Sequence, residues 1–207
     1  MTDLPVFDRI TFSTGAFEVN TSIVKLGDRI FVIDPGAEPE RIIERLDGIT
    51  PCAILLTHAH FDHVGAVNAL QRRFPELPVY IGTKDVDVLT HPMNQYPPDY
   101  PPIERPLKIR AIDESNAPIE GIFKVLDTPG HTPGGVVYYL EREKLLFAGD
   151  TLFAGSIGRT DLPGGDAQTL FKSLGKLRAL PSETRVVPGH GPETTIGAEL
   201  KTNPFFR

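Results

Sequence analysis

With 207 residues, 40% of them hydrophobic and 23% charged, the chain suits one folded domain with a substantial core. Its formal net charge of -6 excludes a nucleic-acid groove as its main business, because phosphate binding is driven by clustered Lys and Arg. The single cysteine, Cys52, excludes an internal disulfide framework, and no run approaches the roughly 18 apolar residues of a membrane span. The first ten residues carry Asp3, Pro5 and Asp8 with neither a cationic start nor an apolar stretch, so a soluble cytoplasmic protein is expected. Ser22–Leu26, the turn Gly27-Asp28 and Arg29–Ile33 read as a β-hairpin that closes at Asp34-Pro35-Gly36. Pro39 opens a helix with Ile42, Ile43 and Leu46 on one face, and Gly48 stops it. Cys52–Leu56 is a continuous apolar run and reads as a buried strand, in which Cys52 acts as a small buried hydrophobe.

That strand runs into Thr57–Gly65, T-H-A-H-F-D-H-V-G, after which a helix is expected from about His63 to Phe74. Val64, Val67, Leu70 and Phe74 form its apolar stripe, and Pro75 terminates it. From His91 to Pro106 the chain holds six of its 20 prolines together with Tyr96 and Tyr100. Proline removes donors and fixes φ, so this stretch reads as a stiff loop flanking a site, with Tyr96 and Tyr100 as candidate substrate contacts. The second half runs strand Gly121–Leu126, turn Thr128–Gly134, strand Val136–Leu140, a charged turn Glu141–Lys144 and a returning strand Leu145–Ala148. Asp166 then caps a helix carrying Leu170, Phe171, Leu174 and Leu177, stopped by Pro181. A last strand, Arg185–Val187, enters Pro188-Gly189-His190-Gly191.

Five of the six histidines fall at the ends of these apolar strands. His58, His60, Asp62 and His63 follow one strand, and His131, Asp150 and His190 follow three others. Imidazole and carboxylate are ligands of first-row metals, and this set is too large for one tetrahedral ion and about right for two. His58 and His60, one residue apart, face the same side of an extended segment. Asp62 and His63 begin the helix and serve a different ion, with His131 completing the first site, His190 the second and Asp150 bridging. Two cations about 3.5–4 Å apart acidify a shared water and clamp a developing oxyanion, so no other nucleophile is required. Asp62, the unshared carboxylate, is the candidate catalytic residue that orients the proton of that water. No G-x-S-x-G elbow or Cys–His pairing supports covalent catalysis. His91, next to Pro92 and outside any ligand spacing, is not expected to bind metal.

The run Thr57–Gly65 resembles the defining motif of the metallo-β-lactamase superfamily, and Thr128–Gly134, Ala148–Asp150 and Pro188–His190 resemble its later motifs in order. The resemblance covers nearly the whole chain and implies an α/β four-layer αββα sandwich, residues 1–207 as a single domain, with the metal site at one edge between the two sheets. It also implies His58, His60 and His131 at one metal, Asp62, His63 and His190 at the other, and Asp150 between them. Two divalent ions are expected, zinc first, with iron or manganese able to occupy the same donors. Within the superfamily, Gly149–Asp161, Gly189–Gly197 and Asn203–Phe205 are similar to the short bacterial glyoxalase II-like enzymes, which cleave thioesters such as S-lactoylglutathione. A full-length glyoxalase II adds a C-terminal helical domain that grips glutathione. None is expected here, so that task falls to Arg159, Tyr96 and Tyr100. Arg159 has two readings: a cation aimed at a substrate carboxylate, or a salt bridge to Asp161 that tightens its loop. The Gly158–Asp161 stretch is also similar to the persulfide dioxygenases of the superfamily, which hold one iron on two histidines and a carboxylate. That activity, or hydrolysis of another ester, thioester or lactone, is the alternative. The partner expected is a small-molecule thioester, with no nucleic acid or membrane, and the protein is expected to be a monomer or small homo-oligomer.

Overall fold

The computed structural model describes residues 6–94, 103–106, 108–115, 119 and 121–207. Strands β1 (Phe7–Thr14), β2 (Val19–Leu26) and β3 (Arg29–Ile33) form an antiparallel meander, and Gly27-Asp28 turns β2 onto β3 with Leu26 opposite Arg29. The expected hairpin is therefore present, longer at its start and extended by β1. Helix α1 (Pro39–Arg45) leads to β4 (Ala53–Leu55), which lies parallel to β3. Cys52 corrects the expectation of burial: it sits one residue before β4 and is exposed, although its N–H still bonds the Ile30 carbonyl at 2.7 Å.

The single helix expected from His63 to Phe74 is two pieces, α2 (Phe61–Val64) and α3 (Val67–Arg73). Between them the Ala66 N–H leaves the helical ladder for the Pro35 carbonyl, 3.0 Å away. The contact is possible because residue 65 is glycine, where a Cβ would lie 2.3 Å from the Gly36 carbonyl oxygen. This break lets α2 tilt its ligands towards the site while α3 packs on the sheet. Strands β5 (Val79–Gly82) and β6 (Ile109–Ile112) continue in parallel and complete a sheet ordered β1-β2-β3-β4-β5-β6.

The second sheet is built from β7 (Lys124–Asp127), β8 (Val136–Leu140) and β9 (Leu145–Gly149), all antiparallel. A small hairpin, β10 (Leu152–Phe153) with β11 (Ser156–Ile157), precedes helix α4 (Ala167–Leu177). Asp166 caps α4 by accepting from the Thr169 N–H at 2.7 Å, a contact worth about 1 kcal/mol. Phe171 departs from the expected apolar stripe and is 45% exposed, while Ser173 turns inward and donates to the Pro129 carbonyl. Strand β12 (Arg185–Pro188) lies parallel to β9, β13 (Thr194–Thr195) edges the sheet, and α5 (Ile196–Thr202) follows. The order is β13-β12-β9-β8-β7.

Period-two alternation sorts these side chains into three buried layers. Ile30, Val32, Ile54 and Leu56 face α1 and α3 through Ile42, Leu46, Val67 and Leu70. Phe31, Ile33, Ala53 and Leu55 point the other way and meet Val136, Tyr138, Leu140 and Phe147 of the second sheet. Val137, Tyr139 and Leu146, on the far side of that sheet, pack on Leu170, Leu174 and Leu177 of α4 and Ile196 of α5. The result is the helix–sheet–sheet–helix sandwich expected from the motifs. The Tyr138 hydroxyl, fully buried, donates to the Leu56 carbonyl at 2.8 Å and so ties the sheets beside the site. Among the described residues no helix is long and apolar enough to cross a membrane.

Candidate metal centre

Four strand ends deliver the site. The loop after β4 carries His58 and His60, α2 carries Asp62 and His63, the β7–β8 connection carries His131, and the ends of β9 and β12 carry Asp150 and His190. All seven meet along one rim. His58, His60 and His131 place ring nitrogens within 4.8 Å of one another, as do Asp62, His63 and His190 through one carboxylate oxygen and two ring nitrogens. A third overlapping set joins His58, His63 and Asp150. Asp150 turns its two oxygens in different directions: Oδ2 lies 3.4 Å from His131 Nε2, while Oδ1 lies 3.3 Å from His63 Nε2 and 3.7 Å from His190 Nε2. The rim has no room to spare, since a Cβ at Gly189 would sit 2.0 Å from Asp150 Oδ1. The two sheets join here as well, through the Asn20 N–H on the Gly189 carbonyl at 2.8 Å and the Asn20 amide on the carbonyls of Pro188 and Gly191.

Four of the five rings, those of His58, His63, His131 and His190, are oriented from behind, and the partner sets the tautomer. His131 Nδ1 and His190 Nδ1 each lie 2.7 Å from a carbonyl oxygen, of Arg159 and Phe17 respectively. A carbonyl only accepts, so both Nδ1 atoms are protonated, and both Nε2 atoms are turned towards the carboxylates of the centre. His63 Nδ1 is 3.0 Å from Asp34 Oδ2, which receives the Thr57 hydroxyl at 2.6 Å as well. Because that hydroxyl proton is committed to Asp34, Thr57 Oγ1 can only accept from His58 Nδ1, 3.0 Å away. Asp34 thus orients His63 directly and His58 through Thr57. Its sequence setting, Asp34-Pro35-Gly36, reads as a turn, and a carboxylate closing the apolar strand β3 was the available signal of a further role.

Asp85 is a second residue that motif reading does not reveal. Fully buried, it accepts from the Ala59 N–H at 3.0 Å and the Thr132 hydroxyl at 2.7 Å on one oxygen, and from the Gly134 N–H at 2.6 Å on the other. One carboxylate therefore clamps the His58–His60 loop to the His131 loop. Burial pushes its carboxyl up from the ordinary range against those three donors.

The electrostatics divide the site. Burial and the surrounding imidazoles hold His58 well below the ordinary histidine value, and burial with His131 brings His60 down to about 4 despite Asp150 and Asp62. His63 behaves in the opposite way: burial opposes its charge, yet Asp150, Asp62 and Asp34 raise it well above the ordinary value. His190, against the same burial effect, is raised by Asp62 and Asp150. Burial pushes both acids up, but His63 and His190 hold Asp62 below the usual range, and His63 with His131 does the same for Asp150. For Asp62 this charge pairing, more than its place in the four-residue α2, accounts for ionisation.

The donor set fits metal ions. His58 Nε2, His63 Nε2, His131 Nε2 and Asp150 Oδ1 are buried with no hydrogen-bond partner. A single buried polar atom left so costs about 1–3 kcal/mol, and facing acceptors such as Asp150 Oδ1 and a neutral His63 Nε2 repel one another unless a cation stands between them. These atoms fall in overlapping groups, His58 with His60 and His131 and His58 with His63 and Asp150, and such clusters of buried donors are what divalent cations stabilise.

The site opens onto a cavity of about 470 Å³ that touches His60, Asp62, His131, Asp150 and His190. Arg159 lines it too, but its guanidinium grips Asp161 with two 2.7 Å bonds, as the salt-bridge reading expected. His91 also lines the cavity and belongs to none of the metal-competent groups. Tyr96 and Tyr100 lie outside the described residues.

Known proteins place this geometry in context. A sequence profile of the metallo-beta-lactamase superfamily matches residues 14–190. A probable metallo-hydrolase of Bacillus subtilis, YqgX, is 36% identical over 93% of this chain and 94% of its own. The hydroxyacylglutathione hydrolase GloC of Haemophilus influenzae is 36% identical over 92% of this chain and 94% of its own. The crystal structure of TTHA1623 in a di-iron-bound form superposes with a TM-score of 0.87 at 44% identity, covering 95% of this chain and 99% of the other.

Proposed function

This chain belongs to the metallo-β-lactamase superfamily, and from that premise we propose that it is a metal-dependent hydrolase of a small-molecule thioester, of the hydroxyacylglutathione type. The observation that carries the reading is the convergence of buried, partnerless Nε2 atoms and a two-faced Asp150 on the floor of the cavity. His58, His60 and His131 would hold one ion, Asp62, His63 and His190 a second, and Asp150 would face both. Zinc suits these donors, and TTHA1623 in its di-iron form supports iron as the competitor. Bound there, the ions would supply Lewis acidity and an acidified water.

The chain's own residues contribute the rest. Asp62 borders the cavity and is held ionised, so it can take a proton from the attacking water. Asp34, Thr57 and the carbonyls of Phe17 and Arg159 keep the four rings in one tautomer, and Asp85 fixes the spacing of the two ligand loops. On this reading the enzyme works in the cytoplasm, as a monomer or small homo-oligomer. The test is hydrolysis of S-lactoylglutathione by metal-loaded protein without oxygen, paired with metal analysis. Oxygen uptake with glutathione persulfide and no thioesterase activity would instead select the one-iron dioxygenase reading.

A further inference from the structure

The cavity wall is poorly matched to a charged thiol carrier. Its described lining is mostly apolar, with Phe17, Phe61, Val88, Pro133, Leu162 and Pro163. Phe17 projects from the β1–β2 turn, is 44% exposed, and meets the Phe61 ring edge-on with centroids 5.3 Å apart. The pair is held where it matters: the Phe17 carbonyl receives His190 Nδ1, and Phe61 stands between His60 and Asp62. An exposed Phe17 braced on a half-buried Phe61 beside the candidate metal centre offers apolar area to a ligand at little entropic cost.

Charge recognition is correspondingly weak. Arg159 is the one guanidinium or ammonium among the described lining residues, and Asp161 takes two of its N–H groups. The chain as a whole carries a net charge of -6. A glutathione moiety brings two carboxylates and one ammonium, and charges moved against apolar walls without partners are strongly disfavoured.

We infer that this cavity selects thioesters whose thiol portion is uncharged and apolar, aromatic or branched, over glutathione thioesters, with Phe17 and Phe61 forming the subsite. The inference rests on the thioester-hydrolase reading above and replaces its glutathione carrier with an apolar thiol. Two lactoyl thioesters test it on metal-loaded protein, S-lactoylglutathione and S-benzyl 2-hydroxypropanethioate. The acyl group is the same, so only the carrier differs. We expect kcat/KM to favour the benzyl ester by about 10-fold or more, the scale on which an apolar pocket discriminates. Phe17→Ala should remove most of that preference, raising KM for the benzyl ester more than for the glutathione ester. Asp161→Asn, which removes the charge that Arg159 pairs with here, should raise kcat/KM for the glutathione ester more than for the benzyl ester. Calorimetry with non-hydrolysable thioethers, a benzyl one and S-methylglutathione, gives a readout independent of turnover. Preference for the glutathione ester overturns the inference while leaving the hydrolase reading intact. If neither ester is cleaved the hydrolase reading fails, and the thioethers decide the subsite: tighter benzyl binding that Phe17→Ala abolishes supports it, and tighter S-methylglutathione binding overturns it.

Discussion

His58, His60 and His131 on one side, and Asp62, His63 and His190 on the other, share a rim and face the same Asp150, yet their protons are held in opposite ways. In the all-imidazole group, burial and neighbouring rings push His58 and His60 towards the neutral form that a cation needs. In the carboxylate-bearing group, Asp62, Asp150 and Asp34 draw protons onto His63 and His190. One half is therefore ready for a metal, and the other must release protons to take one. The difference teaches that a symmetric ligand count can conceal unequal sites, because background charge decides what each donor carries before metal arrives.

Several measurements would break or sharpen this contrast. Asp150→Ala should have the largest effect, since its oxygens face both groups. Metal content after loading should drop at both, and retention of a full complement would remove Asp150 from the centre. Asp62→Asn should cost at least about 10²-fold in kcat, the low end for general-base effects, and empty its own group while His58, His60 and His131 keep theirs. Near-normal turnover with full metal would count against its role. Asp34→Asn should weaken metal affinity by about 10- to 100-fold, as loss of an orienting partner does, and more at the His63 group than at the other. Equal weakening at both would show that the Thr57 relay matters as much as the direct contact.

Acidity probes the same contrast without mutation. Groups raised above the ordinary histidine value, His63 and His190, are protonated first as pH falls, so their group should lose its metal at the higher pH of the two. The imidazole trio contains His60, lowered to about 4, and should hold its metal further into acid. Stepwise dialysis with metal analysis checks the order, and simultaneous loss would refute it. The smallest change expected is for Asp166→Ala, which removes the α4 cap. It should lower stability by about 1 kcal/mol on thermal or denaturant unfolding and leave both groups loaded alike.

Some of the molecule was legible because the information is local. The β2–β3 hairpin follows from a glycine-bearing turn between two apolar runs, and the α4 cap from Asp166 ahead of Leu170 and Leu174. Alternation likewise separates Val137 from Tyr138. Other features depend on neighbours distant in the chain. The helix expected from His63 breaks because Ala66 finds the Pro35 carbonyl, and Cys52 is exposed because β4 starts one residue later. Ser173 replaces Phe171 in the packed stripe for the sake of the Pro129 carbonyl.

The seven candidate ligands were readable in the sequence alone, because imidazoles and carboxylates at strand ends announce themselves by residue type and spacing, and the fold gathers them in groups that could hold metal. Tertiary structure alone decided which of their nitrogens faces the centre, how Asp150 divides its oxygens, and how charge differs between the halves. It also assigned Asp34 and Asp85 their tasks, one behind His63 and one across the loops of Ala59 and Thr132. The physical reason is that periodicity reports which way a side chain points from its own strand. A hydrogen bond between Asp85 and Gly134, 49 residues apart, exists only after two sheets have packed face to face.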